Sequence, residues 1–237
     1  VSGCFGCLTK GGAMALTLEL LIARQGAFQL IADLEVPTHS FTAVIGPSGA
    51  GKSTLFDAVS GFLKPAKGRV LWQGDDLTNQ PPGDRPVAML FQDNNLFPHL
   101  TIGQNVGLAL SKRRRLSPAH QDHVERVLAL VGLDGMTDRK MSQLSGGQIS
   151  RAALARLLLQ DRPLWLLDEP FSALGPALKS EMLALVRDMA AEKQATVLMI
   201  THDPADTRAV APLSVLVAEG QASGPFDTTE VLNNPPP

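Results

Sequence analysis

The chain of 237 residues holds no tyrosine, two tryptophans and nine phenylalanines, so any ring stacked on a ligand has to come from a short list. Cysteine is as scarce as tryptophan. Cys4 and Cys7 form a single C-x-x-C, which lacks the two further ligands of a structural zinc site and the flanking strand and helix of a thioredoxin-like motif. No apolar run approaches the ~18 residues that would suggest a membrane-spanning helix, and no charged-then-apolar leader opens the chain. An excess of one charge is missing too: 21 basic residues face 23 acidic ones, which leaves no global footprint for nucleic acid. The one basic run, Lys112-Arg113-Arg114-Arg115, reads as a solvated loop between helices. There is no internal repeat and no low-complexity segment beyond the tail Asn233-Asn234-Pro235-Pro236-Pro237, read as a frayed end. Residues 1–13 read as a disordered extension ahead of a native start at Met14. What remains is a chain 44% hydrophobic, expected to be soluble and long enough to bury one full core over residues 14–237.

Against those absences stands Gly46-Pro47-Ser48-Gly49-Ala50-Gly51-Lys52-Ser53, followed by Thr54. Glycines at this spacing let backbone N–H groups turn inward around phosphate oxygens, while the helix that follows presents its positive end. Lys52 is then expected to reach the β- and γ-phosphates and the Ser53 hydroxyl to ligate Mg²⁺. The flanks agree: Ser40 to Ile45 is β-branched and apolar, as a strand requires, and Ser53 to Phe62 reads as a helix. A glycine-rich turn without a ligand would leave a lysine and two hydroxyls without a purpose.

A second acidic element follows Leu164-Trp165-Leu166-Leu167, a buried strand that delivers Asp168 and Glu169 at its carboxyl end. In open parallel α/β sheets that edge is where ligands bind. Asp168 is expected to hold Mg²⁺ through its water shell. Glu169 is expected to polarise the attacking water as general base, a role worth typically ~10²- to 10⁴-fold in rate. An ordinary acidic turn after a strand is the plainer reading, and the presence of Lys52 weighs against it.

Leu144-Ser145-Gly146-Gly147-Gln148, with Arg151 and Arg156 behind it, lies between the phosphate loop and the Asp-Glu strand. In that order these motifs resemble the ATP-binding subunit of ABC transporters, from about Met14 to the C-terminus. The resemblance implies a head-to-tail homodimer in which Ser145, Gly146 and Gly147, with Gln148, contact the γ-phosphate bound by the other copy. Gln92, after the strand-like Pro86 to Phe91, resembles the glutamine that reaches Mg²⁺ and the lytic water and couples the site to a membrane partner; alone, it would pass for a solvated strand end. His202, after Ala195 to Thr201, resembles the switch histidine that contacts the γ-phosphate and positions Glu169.

Two positions depart from the family. Gly175, in Ser172-Ala173-Leu174-Gly175, stands where the family usually carries an aspartate, so a carboxylate that helps organise the site across the dimer is missing. The aromatic that normally stacks on adenine is also missing. Phe28 is the nearest candidate, and it lies in a strand-like segment where it would serve equally as core; losing a stacked ring costs ~1 kcal/mol or somewhat more of binding.

The implied fold class is α/β: a P-loop (RecA-like) ATPase core with an N-terminal antiparallel β subdomain and an inserted α-helical subdomain over about residues 93–160. Strands are expected at Leu16 to Ile22, Phe28 to Val36, Arg69 to Gln73 and Leu213 to Val217, and helices from Ser117-Pro118 and over Ala177 to Ala191. The residues specify ATP hydrolysis with Mg²⁺ and say nothing physical about cargo. Within the family, Gln92 to Thr101 and Ala173 to Leu178 resemble the ATP-binding subunits of bacterial importers of thiamine and thiamine pyrophosphate. Importers of inorganic anions, iron or polyamines are the alternatives, followed by a soluble ABC ATPase outside transport or a nucleotide-binding module without turnover. The implied partners are an identical copy, an integral-membrane permease and, through it, an external solute-binding protein, with no nucleic acid. The implied location is the cytoplasmic face of the bacterial inner membrane.

Overall fold

A computed structural model describes residues 14–93, 95–111 and 116–234. The expectations for residues 1–13, 112–115 and 235–237 lie outside them. The chain divides into two compact units: Val1–Val87, Pro163–Leu166 and Ala190–Pro237 form the first, and Ala88–Arg162 with Leu167–Met189 form the second.

The first unit is built on a sheet. β1 (Met14–Gln25) turns at Gly26 into β2 (Phe28–Pro37), and the two pair antiparallel. Leu30, Ala32, Leu34 and Val36 are buried while Ile31, Asp33 and Glu35 are exposed, the period-two alternation of a strand with one wet face. Burying each of the larger apolar side chains on that face stabilises the fold by roughly 1.5–3 kcal/mol. β4 (Lys67–Trp72) pairs antiparallel with the other edge of β1, and β5 (Asp75–Asp76) pairs with β4. β3 (Phe41–Ile45) lies parallel to β8 (Thr196–Ile200) and β9 (Leu213–Ala218); the nearly unbroken apolar runs of β3 and β8 are buried on both faces, as a parallel sheet demands. β10 (Gln221–Asp227) joins the halves, antiparallel to β9 and parallel to β2. The order is therefore β5-β4-β1-β2-β10-β9-β3-β8, and the opening residues of β7 (Leu164–Asp168) and β6 (Val87–Leu90) extend it. Among the described residues, α1 (Lys52–Ser60), α6 (Pro204–Val210) and α7 (Thr228–Asn233) lie wholly in this unit. α1 stops where Gly61, at φ 89°, turns left-handed and donates its N–H to the Asp57 carbonyl.

The second unit is helical. Thr101 caps α2 (Ile102–Gly107) through a reciprocal capping box with Gln104, so the helical pattern expected from residue 93 begins only here. Ser117 caps α3 (Pro118–Leu130), Pro118 occupies its first position, and Val124, Val127 and Leu128 form its buried stripe as their spacing predicts. A 3₁₀ turn (Met141–Gln143) leads to α4 (Gly146–Leu159), and α5 (Pro176–Glu192) begins in the same unit. No helix among the described residues is long and apolar enough to cross a membrane.

Candidate functional site

In the first unit the phosphate loop leaves β3 and enters α1. Gly46 has no alternative: a Cβ built on it would stand 1.9 Å from the Val217 carbonyl oxygen on the neighbouring strand. Pro47, Ser48 and Gly49 are exposed, whereas Ala50 and Gly51 are buried as the chain turns in; the Ala50 N–H donates to the Pro47 carbonyl at 3.3 Å. Gly51 forms the N-cap of α1 at φ 110°, and no acidic side chain sits in the first turn to offset the helix's positive end. Lys52 opens the helix and curls back, its Nζ donating to the carbonyls of Gly46 at 2.9 Å and Pro47 at 2.8 Å. Ser53 is exposed beside it, and the buried Thr54 hydroxyl donates to Gln25 Oε1 at 3.5 Å, reaching the end of β1. These are elements of a candidate anion cradle: a loop turned by the left-handed glycines Gly46, Gly49 and Gly51, a helix start with no acidic side chain in its first turn, and a lysine held over the loop.

Two further expected residues lie in this unit. His202 follows β8 and is exposed; with Gly46, Thr201 and Thr207 it lines a cleft of about 160 Å³. Its neighbours are pinned. The Thr201 hydroxyl donates to Asp206 Oδ2 at 3.0 Å and accepts from the Asp203 N–H at 3.2 Å, and the Asp203 carboxylate caps α6 through the Ala205 N–H at 2.9 Å. Phe28 is half-buried with its ring against the loop: a Cβ on Gly51 would come within 2.8 Å of Phe28 Cζ.

Sequence reasoning passed over Arg85, which braces the same helix from its other end. It is 1% exposed, and its guanidinium donates to the carbonyls of Ala58 (2.8 Å) and Val59 (2.7 Å) in α1, Gln80 (3.0 Å) and Thr78 (3.2 Å). Burial pulls its pKa below the usual arginine range, and carbonyls at a helix C-terminus are suitable partners for a cation there. No local spacing announces such a residue, because its partners lie up to 27 positions away.

The second unit carries the other expected residues. Gln92 is exposed two residues beyond β6. Asp168 ends β7 and is 9% exposed. Glu169 follows at φ 44°, in the left-handed region that a side chain adopts at a cost, and its carbonyl accepts from both the Ser172 N–H and Ser172 Oγ at 3.3 Å. Ser145 caps α4 reciprocally with Gln148: the Gln148 N–H donates to Ser145 Oγ at 3.3 Å and the Ser145 N–H to Gln148 Oε1 at 2.9 Å. Ser-x-x-Gln is a capping-box pattern legible in the sequence, and it gives the glutamine a local structural use. Gly146 and Gly147 then open a helix with no acidic residue in its first turn. A Cβ on Gly147 would meet Leu174 Cδ2 at 3.0 Å, so the signature adjoins the loop that ends at Gly175, where a Cβ would meet nothing within 4 Å.

The chain is similar to known proteins of one family. The family model for the ABC transporter matches residues 31–172. The thiamine import ATP-binding protein ThiQ of Ruegeria sp. (strain TM1040) is 54% identical over 222 residues, covering 94% of this chain and 96% of the relative. That of Cereibacter sphaeroides is 55% identical over the same length and shares of each chain. Among solved structures, the dimeric post-hydrolysis state of the ATP-binding cassette MJ0796 bound to ADP and Pi superposes with a TM-score of 0.78 at 26% identity, covering 90% of this chain and 98% of that one. The chain belongs to the ABC transporter family, as an ATP-binding, ATP-hydrolysing cassette with the P-loop α/β fold.

Proposed function

We propose that the chain is the motor subunit of an importer of thiamine or thiamine pyrophosphate, coupling ATP-driven closure of a head-to-tail homodimer to a membrane permease. One observation carries the cargo: identity to thiamine import proteins is 54–55% across 94% of the chain, against 26% to the cassette bound to ADP and Pi. The reading includes residues 14–237 as one ATP-binding domain with a helical subdomain at about 93–160. It also includes a permease docked near Gln92 and the helical arm, an external solute-binding protein, and a place on the cytoplasmic face of the bacterial inner membrane.

The loop amides from Gly46 to Thr54 cradle the phosphates, and Lys52 exchanges its two loop carbonyls for the β- and γ-phosphate oxygens. Glu169 orients the lytic water and accepts its proton, while His202 contacts the γ-phosphate and steadies Glu169. Ser145, Gly146 and Gly147 present a helix start free of acidic side chains to the γ-phosphate of the opposite copy. The Ser53 hydroxyl, Asp168 carboxylate and Gln92 amide oxygen are hard oxygen donors of the kind Mg²⁺ takes, and they would hold it. Held there, Mg²⁺ would supply positive charge against the phosphates.

The test is uptake of labelled thiamine by cells whose sole copy carries Glu169→Gln. Loss of uptake, with the protein still made at parental level, supports the reading. Undiminished uptake in a strain with no second thiamine route discards the cargo and leaves the ATPase standing.

A further inference from the structure

α4 is fastened to the rest of its unit in its middle and near its C-terminal end. Its first turn is the signature, capped by Ser145. In its middle, Arg151 Nη1 donates to the carbonyls of Val131 at 3.2 Å and Gly132 at 3.0 Å, just beyond α3. Near its end, Arg156 Nη1 donates to the carbonyl of Asn95 at 2.8 Å. Asn95 stands three positions after Gln92, in a left-handed conformation at φ 42°, its N–H turned back onto the Asp93 carbonyl at 2.7 Å.

The segment that Arg156 grips has no helix or strand, yet it is held at its far end too. The fully buried Asn105 side chain accepts from the Phe97 N–H at 2.7 Å and donates to the carbonyls of Phe97 at 3.1 Å and Thr101 at 3.0 Å. Residues 95–101 are thus a strap between two polar anchors, one on α2 and one on α4. Eleven residues at 1.5 Å rise place Ser145 and Arg156 about 16 Å apart on one rigid rod. A helix moves as a body, so a displacement of the signature arrives at the Asn95 carbonyl.

Packing alone does not account for the arginine. Burial pulls its pKa below the usual range, which is the signature of a desolvated charge, and an unbranched apolar side chain would fill the same space without that cost. The guanidinium adds a grip on a backbone oxygen at the near end of a segment that no helix or strand holds.

Building on the importer reading above, we infer that Arg156 is a positioning residue that straps the segment following Gln92 to the signature helix, so that engagement of the signature is felt in residues 95–101. It touches neither nucleotide nor reacting atoms. Its loss should leave hydrolysis in place and separate it from transport.

The experiment compares the parent with Arg156→Met and Arg156→Lys, each as the isolated subunit and in the complete transporter reconstituted in vesicles. For Arg156→Met we expect ATP hydrolysis by the isolated subunit within about threefold of parent, amide exchange over residues 95–101 faster by about tenfold, and thiamine moved per ATP lower by about fivefold. Arg156→Lys keeps a charge and can still donate, but lacks the planar guanidinium and its reach, and should fall between them. Parental exchange over 95–101 with a parental transport ratio would overturn the inference. If Arg156→Met does not fold, Arg156→Lys decides it: an intermediate ratio supports the strap and a parental one refutes it. A parent complex that hydrolyses ATP but moves no thiamine refutes the cargo, and the exchange measurement still tests the strap.

Discussion

The ring of Phe28 lies against Gly51, so close that a single carbon added to the glycine would stand 2.8 Å from Cζ. Phe28 is on β2, and Gly51 is the turn from the phosphate loop into α1. The contact makes the ring a floor for the loop.

Phe28→Ala should therefore loosen the cradle itself. We expect ~2 kcal/mol of lost stability from the half-buried ring, and weaker binding of ATP and of inorganic triphosphate by the same factor. Parallel titrations with the two ligands check this. A drop for ATP of about fivefold or more with triphosphate unchanged would return the ring to the base, where stacking is worth ~1 kcal/mol or more.

Glu169 bears the proposed chemistry on a strained backbone, at φ 44°. Glycine adopts that conformation without steric cost, so Glu169→Gly should stabilise the fold by ~1 kcal/mol, raising the melting temperature by about 2–4 °C, while hydrolysis falls by ~10²-fold or more. Glu169→Gln should lose hydrolysis without the gain in stability. Calorimetry and phosphate release on the two variants check both. A glycine variant no more stable than the glutamine one would show that the turn carries no strain.

Burial raises the Asp57 carboxyl above its ordinary 3.8. A raised carboxyl favours the protonated form in the folded state, so its contribution is fully present below the unfolded value and is lost as pH rises through the folded one. At neutral pH the charge weighs against the fold. Asp57→Asn, of similar helix propensity, should raise the denaturant midpoint at pH 7, with the gain shrinking away as pH falls toward 3.8. Chemical denaturation across that range checks it; a gain independent of pH would assign the effect to something other than the charge.

Where one segment contained its own reason, the sequence was legible. The glycine spacing of 46–51 between an apolar run and a helix predicted β3 and α1, and Ser117-Pro118 ahead of Val124, Val127 and Leu128 predicted α3 and its buried stripe. Segments that depend on distant partners were missed. β10 and α7 went unread: the short β10 carries a glycine and a proline, and only pairing with β9 and β2 makes it a strand. Residues 93–101 fall within the block expected to be helical, yet Asn105 gives the backbone of Phe97 and Thr101 partners outside a helix, and α2 starts at Ile102.

By itself, then, the sequence determined the candidate chemistry: which residues are proposed as the phosphate cradle, which strand leads into two carboxylates, and which helix opens with Ser145-Gly146-Gly147. Those are local facts, because a phosphate loop, an apolar strand and a helix cap each need only a few consecutive residues of the right type. Only the tertiary structure decided that Phe28 faces Gly51, that four carbonyls satisfy Arg85, and that Arg156 holds the Asn95 carbonyl. Each of those depends on which distant group fills a desolvated space, and burial sets that condition where spacing along the chain does not.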